Sequence, residues 1–134
     1  MEKVSKPELL FYQKIGELFY AVAASDRVVR KSEYDALAKM VEDEWKSMDD
    51  YEDRFGTDAA YQMAIVFEWF DYEQMDAQDC YNDFEDYYND KKNSFYGNRK
   101  ELIIRTARKI ANAFRGSNKS ELIMLTRLEL LFKE

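Results

Sequence analysis

No histidine occurs anywhere in the chain, and cysteine and proline occur once each. Each scarcity removes a class of chemistry. Without imidazole there is no histidine general acid or base, no Ser-His-Asp or Cys-His nucleophile, and no zinc site built on histidine. Cys80, alone, allows no internal disulfide or thiolate cluster and agrees with a cytoplasmic setting. The remaining metal chemistry is oxygen ligation by Asp and Glu, which suits Ca2+, Mg2+ or Mn2+. With one proline and only four glycines, helices are favoured over a turn-rich β fold. No apolar run approaches the roughly 20 residues that span a bilayer. The opening "MEKVSKPELL" lacks the apolar core of a signal peptide, so no direct membrane insertion is expected.

What is present is apolar surface and acid. Hydrophobic residues make up 46% of the 134 positions and aromatics 16%, enough for one domain with a sizeable core and too rich for a disordered chain. The net charge of −7 is unevenly spread. Residues 42–90 hold 17 Asp and Glu against only Lys46 and Arg54, while residues 91–134 hold 11 basic and 4 acidic groups. The acidic middle can pack beside the basic end with solvated outer faces, or form a surface that meets a cation or a basic partner. It would repel phosphates, so no nucleic acid partner is expected.

Helical spacing runs through the chain. Ser5 with Glu8 reads as a capping box, with Pro7 in the first turn, and Phe11, Ile15, Leu18 and Val22 form a stripe. A second helix is expected from about Lys31 to Trp45, with Tyr34, Leu37, Ala38, Val41 and Trp45 on one face. "KSMDDYEDRFG" reads as a linker ending in Gly56. Thr57 then caps "DAAYQMAIVFEWFDY", apolar on most sides (Tyr61, Ala64, Ile65, Phe67, Trp69) and so expected to be the central, most buried helix. A fourth helix buries Cys80, Tyr81, Phe84, Tyr87 and Tyr88. It carries Asp76, Asp79, Asp83, Asp86 and Asp90 on one face, with Arg99, Lys100, Arg105 and Lys109 as balancing charges. A fifth lines up Ile103, Ala107, Ile110 and Phe114 and stops at Gly116. Ser117 caps a sixth, whose Met124, Leu125, Leu128, Leu131 and Phe132 point inward.

The corner after the first helix recurs. With a shift of 88 residues, "AASDRVVRKSEYDAL" lies over "ANAFRGSNKSELIML" without a gap: Ala23 meets Ala111, Arg27 meets Arg115, and Lys31-Ser32-Glu33 meets Lys119-Ser120-Glu121. The expected fold is therefore an all-α single domain of about six or seven helices spanning 1–134. Its related helix-turn-helix halves lie around 8–45 and 99–133, with the acidic middle at 57–91. Asp26 maps onto Phe114, so only the glutamate is kept in both halves.

Ala21, Ala23, Ala24, Asp26, Val28, Val29 and Glu33 resemble the TerB-like (tellurite-resistance protein B) family. Its hallmark is a small-residue-rich helix, an Asp-Gly, an apolar residue and a glutamate opening the next helix. "IANAFRGSNKSELIMLTRL" is similar to that family's degenerate second copy. The resemblance implies a duplicated helical domain, a part in bacterial tellurite and chemical-stress resistance, a protein partner in a membrane-associated stress complex, and divalent-cation binding through acidic residues. Where the family has glycine this chain has Arg27, which disfavours a left-handed turn there.

Asp26, Glu33 and Glu121 form the candidate metal set, three carboxylates that could converge on a hard cation if the halves pack about a pseudo-two-fold axis. The same residues also have a plain structural use. Asp26 can cap free amides, and Glu33 gains from the helix dipole. No nucleophile–base pair or phosphate loop is present, so the chain reads as a non-enzymatic module. The alternative is a purely structural protein–protein interaction domain with no ligand, marked by exposed aromatic or acidic residues.

Overall fold

The computed structural model describes residues 2–3, 6–48, 51–52, 58–113 and 118–134. Ser5, Gly56, Thr57, Phe114, Gly116 and Ser117, to which the sequence assigns caps, stops or a stripe position, lie outside them. The described chain is all-α. The elements are α1 (Lys6–Ala23), α2 (Lys31–Met40), a one-turn α3 (Lys46–Met48), α4 (Gln62–Tyr72), α5 (Ala77–Asp90), α6 (Arg99–Ala111) and α7 (Lys119–Leu131). Two-residue strands, β1 (Glu2–Lys3) and β2 (Tyr51–Glu52), pair in parallel and tie the N-terminus to the segment read as a linker.

The central helix is α1, not α4. Phe11, Ile15, Leu18, Phe19, Val22 and Ala23 are fully buried, and α1 packs against α4, α5, α6 and α7. The sequence expectation for α4 fails on one face. Met63 and Phe67 are buried against α1, but Ile65 and Trp69 are more than half exposed. An apolar surround marks a central helix only when neighbours cover every side. Here the outer side of α4 is left bare.

Helix α2 continues through a π-turn, Val41–Trp45, into α3. An i, i+4 stripe drifts around a 3.6-residue helix, and a wider i→i+5 turn steps that drift back. Leu37, Val41 and Trp45 therefore all reach the core. The Trp45 indole N–H donates to Thr106 Oγ1 at 3.0 Å, and that hydroxyl donates to the Leu102 carbonyl at 2.8 Å, so the buried polar atoms are satisfied.

Aromatic rings meet edge-on where α1, α5 and the chain after α5 join. Phe95 lies 4.9 Å from Tyr88 and 5.3 Å from Phe11, centroid to centroid. Arg99 belongs to this core. The sequence groups it with solvated basic residues, yet it is 1% exposed. Its guanidinium lies 4.0 Å from the Phe11 ring centroid and 4.2 Å from that of Tyr96. It also pairs with Glu8 at 2.7 Å and donates to the Ser94 carbonyl at 2.7 Å. Aromatic faces and a carboxylate replace its water. Two of the other expected counter-charges, Arg105 and Lys100, also take partners other than the α5 acids. Arg105 pairs with Glu44 at 2.5 Å, and Lys100 donates to the Phe132 carbonyl at 3.1 Å.

Gly16 sets the spacing between α1 and α4. A methyl group there would sit 2.6 Å from the Met63 carbonyl oxygen and 2.9 Å from its Cα, and backbone cannot yield as a side chain can. Gly16→Ala is expected to destabilise the domain by about 1–3 kcal/mol, despite the helix propensity gained. Urea unfolding midpoints of the two proteins measure the loss.

Candidate functional site: two helix corners joined by carboxyl groups

The first corner begins where α1 tightens into a 3-10 turn, Ala24–Asp26, closed by the Arg27 amide donating to the Ala24 carbonyl at 2.8 Å. Arg27 adopts φ 70°, ψ 8°. The left-handed turn that arginine disfavours is thus made by arginine, at a cost of about 1–2 kcal/mol, because the next residues must reverse to start α2. Asp26 Oδ1 accepts from the Val28 amide at 3.1 Å, which fixes that reversal.

Each helix that follows a corner then begins with the same device. Glu33 Oε1 accepts the Arg30 amide at 2.7 Å at the start of α2. Glu121 Oε1 accepts the Asn118 amide at 3.2 Å at the start of α7, and Asn118 Oδ1 returns the bond by accepting the Glu121 amide at 2.9 Å. Arg30 and Asn118 are related by the 88-residue shift, as are Glu33 and Glu121. The α7 cap is Asn118 rather than the Ser117 suggested by the sequence.

The two starts meet. Glu33 and Glu121 are 1% and 2% exposed, and their carboxyl groups lie close enough to interact. Two buried like charges side by side repel, which favours the protonated form of Glu33. Burial, with the Glu121 contact next, pushes Glu33 up to about 8, against the Arg30 amide and guanidinium that favour its charged form. Glu121 Oε2 is buried with no conventional donor.

Asp26 joins the halves from the other side. Its Oδ2 accepts from the Arg30 guanidinium at 3.0 Å and from the side-chain amide of Asn118. All three sequence candidates are therefore at one place, but in different roles. Asp26 is engaged by an arginine and an asparagine, while Glu33 and Glu121 engage each other. Among the described residues no group of three or more Asp, Glu or Cys side chains is placed as a metal-ligating set.

A second carboxyl contact was not singled out from sequence. Glu17, 7% exposed on α1, lies beside Asp83 on α5, and Lys14 lies 3.4 Å from Glu17 and pairs with Asp83. Burial and the Asp83 contact push Glu17 up to about 8, whereas the same contact and Lys14 hold Asp83 below its ordinary range. Glu17 interrupts an apolar helix face, which was the available signal. Cys80, buried beside this cluster, has its thiol pushed up to about 12 by burial, so it is no nucleophile at neutral pH.

Glu33 and Glu17 each hold a proton in the fold that the unfolded chain releases above its ordinary glutamate value. Their stabilising effect is complete below about 4.5 and is lost as pH rises through about 8. Unfolding free energy is expected to fall across that window, and Glu33→Gln, which keeps a donor toward Glu121, is expected to flatten the fall. Urea titrations at pH 5, 7 and 9 on both proteins measure it. No family model, curated protein or solved structure matches this chain, so the reading of the site rests on its own residues.

Proposed function

We propose that this chain is a non-enzymatic, TerB-like helical module that serves a tellurite or chemical-stress response by docking a protein partner on the outer face of α4. The observation that carries the docking is the stripe Ile65, Trp69 and Tyr72, which are 53%, 58% and 86% exposed at i, i+4 and i+7 of one helix. Glu68, Asp71 and Glu73 flank it, and between Arg54 and Lys91 the chain has no basic residue. An apolar strip in an acidic surround suits a basic amphipathic helix, whose apolar face covers the strip while its lysines meet the rim. The assignment to a stress response rests on the sequence resemblance, and no helix among the described residues is long and apolar enough to cross a membrane.

Trp45 is fully buried and Trp69 is exposed, so Trp69 reports on this face. A lysine–leucine amphipathic peptide of about 18 residues, or five helical turns, is expected to blue-shift the tryptophan emission. Trp69→Ala with Tyr72→Ala should weaken binding of the fluorescently labelled peptide by about 30-fold, as loss of a 2 kcal/mol hot spot does. Equal binding to that variant, or to a glutamate–leucine peptide, would remove the docking assignment.

A divalent cation at the corner is a second reading, favoured by Glu121 Oε2, which is buried without a donor. Ca2+, Mg2+ or Mn2+ would there displace the proton that Glu33 holds, with Asp26 turning from Arg30 to complete the ligands. Millimolar metal is then expected to raise the melting temperature more at pH 8 than at pH 6, and Asp26→Asn with Glu33→Gln to abolish the rise. A melting curve indifferent to all three metals at both pH values eliminates the cation.

A further inference from the structure

Helices α4 and α7 are each apolar on nearly every side, a composition that belongs to a helix covered all round. Neither is so covered. Of the ten large apolar residues that stand exposed among the described residues, three lie on α4 and three on α7. On α7, Met124, Leu125, Leu128 and Leu131 are buried, while Leu122, Ile123 and Leu130 are more than half exposed. Thr126, also exposed, joins Leu122 and Leu130 at i, i+4 and i+8 of one strip. The strip from Leu122 to Leu130 is about 12 Å long and that from Ile65 to Tyr72 about 10 Å, at 1.5 Å per helical residue.

The two strips are matched in length and opposite in surround. Residues 62–90, which carry the α4 strip, hold nine acidic residues and no basic one. Residues 99–134, which carry the α7 strip, hold nine basic and four acidic residues. Lys119 and Lys133 bracket the α7 strip, both exposed, and their ammonium groups have no ion pair among the described residues. Glu129, beside Leu130, is taken up by Arg108 of α6 at 2.8 Å. Two α4 faces brought together would set Glu68, Asp71 and Glu73 against themselves, and two α7 faces would do the same with the lysines. Only unlike faces bring opposite charges together around a shared apolar centre.

We propose that the outer face of α4 is covered by α7 of a second copy of this chain. The inference rests on the docking role given above to the α4 face and names its occupant, because the outer side of α7 is itself a basic amphipathic helix. Leu122, Ile123 and Leu130 of one copy lie along Ile65, Trp69 and Tyr72 of the other, and Lys119 and Lys133 reach the carboxylates that flank the α4 strip. The contact joins different surfaces, so it is heterologous: each copy gives one face and takes the other.

Sedimentation velocity on the full chain tests the contact. The sedimentation coefficient is expected to rise between about 10 µM and about 1 mM protein, the range of a small, weak interface. Trp69→Ala with Tyr72→Ala removes the α4 strip, and Leu122→Glu with Leu130→Glu removes the α7 strip. Each double variant alone should stay monomeric, a loss of about 30-fold or more. All four positions are exposed, so both variants should melt close to the parent. Mixed in equal amounts they should form a 1:1 complex, because each supplies the strip the other lacks. A parent monomeric at the highest concentration, a variant that self-associates alone, or a mixture no heavier than its parts would each overturn the second copy. If a monomeric parent still binds the lysine–leucine peptide, the α4 face docks a partner and only the second copy falls. If the mixture assembles while the peptide does not bind, the second copy stands and the docking of other basic helices falls.

Discussion

Two helix starts meet at Glu33 and Glu121, and both corners depend on burying these two carboxyl groups against each other. Each carboxyl already accepts the amide that opens its own helix, so neither can turn away without uncapping α2 or α7. Bringing both charged into a buried contact would cost several kcal/mol. Burial and the neighbouring Glu121 push Glu33 toward its neutral form, which removes that cost. Asp26 then holds the pair from outside, through Arg30 of its own half and Asn118 of the other. The joint is made of caps facing caps, which explains why glutamate occupies both halves while the aspartate is needed in one.

Much of this was legible in the residues. The stripes of α5, α6 and α7 follow apolar spacing alone, because those helices each have one buried face. The corner was legible because an aligned Lys-Ser-Glu occurs twice. What was not legible has a common cause. Arg99 and Glu17 are charged residues that the core takes in because a partner more than 60 positions away satisfies them, and no local pattern records such a partner. The exposed half of α4 was missed for the converse reason. Composition records that a residue is apolar and not whether a neighbour arrives to cover it.

The molecule separates its polar chemistry into three places. Glu17, Glu33 and Glu121 are internal, buried where helices meet. Carboxylates of α5 such as Asp79, Asp86 and Asp90 face solvent, while Asp83 is drawn back by Lys14. Along the outer face of α4, Glu68, Asp71 and Glu73 flank the bare apolar stripe. Glu33 and Asp71 therefore obey different rules. The first is governed by desolvation, the second by what approaches from water.

The ties of Arg99 to Glu8 and of Asn118 to Asp26 close loops of 91 and 92 residues. Helix α1 is made before α4, α5, α6 and α7, the helices that cover four of its sides. Its stripe of Phe11, Ile15, Leu18 and Val22 must wait, exposed, until almost the whole chain has been synthesised. Distant contacts must be paid for in loop-closure entropy before they return stability, which places this domain among slower-folding helical proteins. During translation the nascent α1 is an uncovered apolar amphiphile, the kind of segment that holding chaperones recognise.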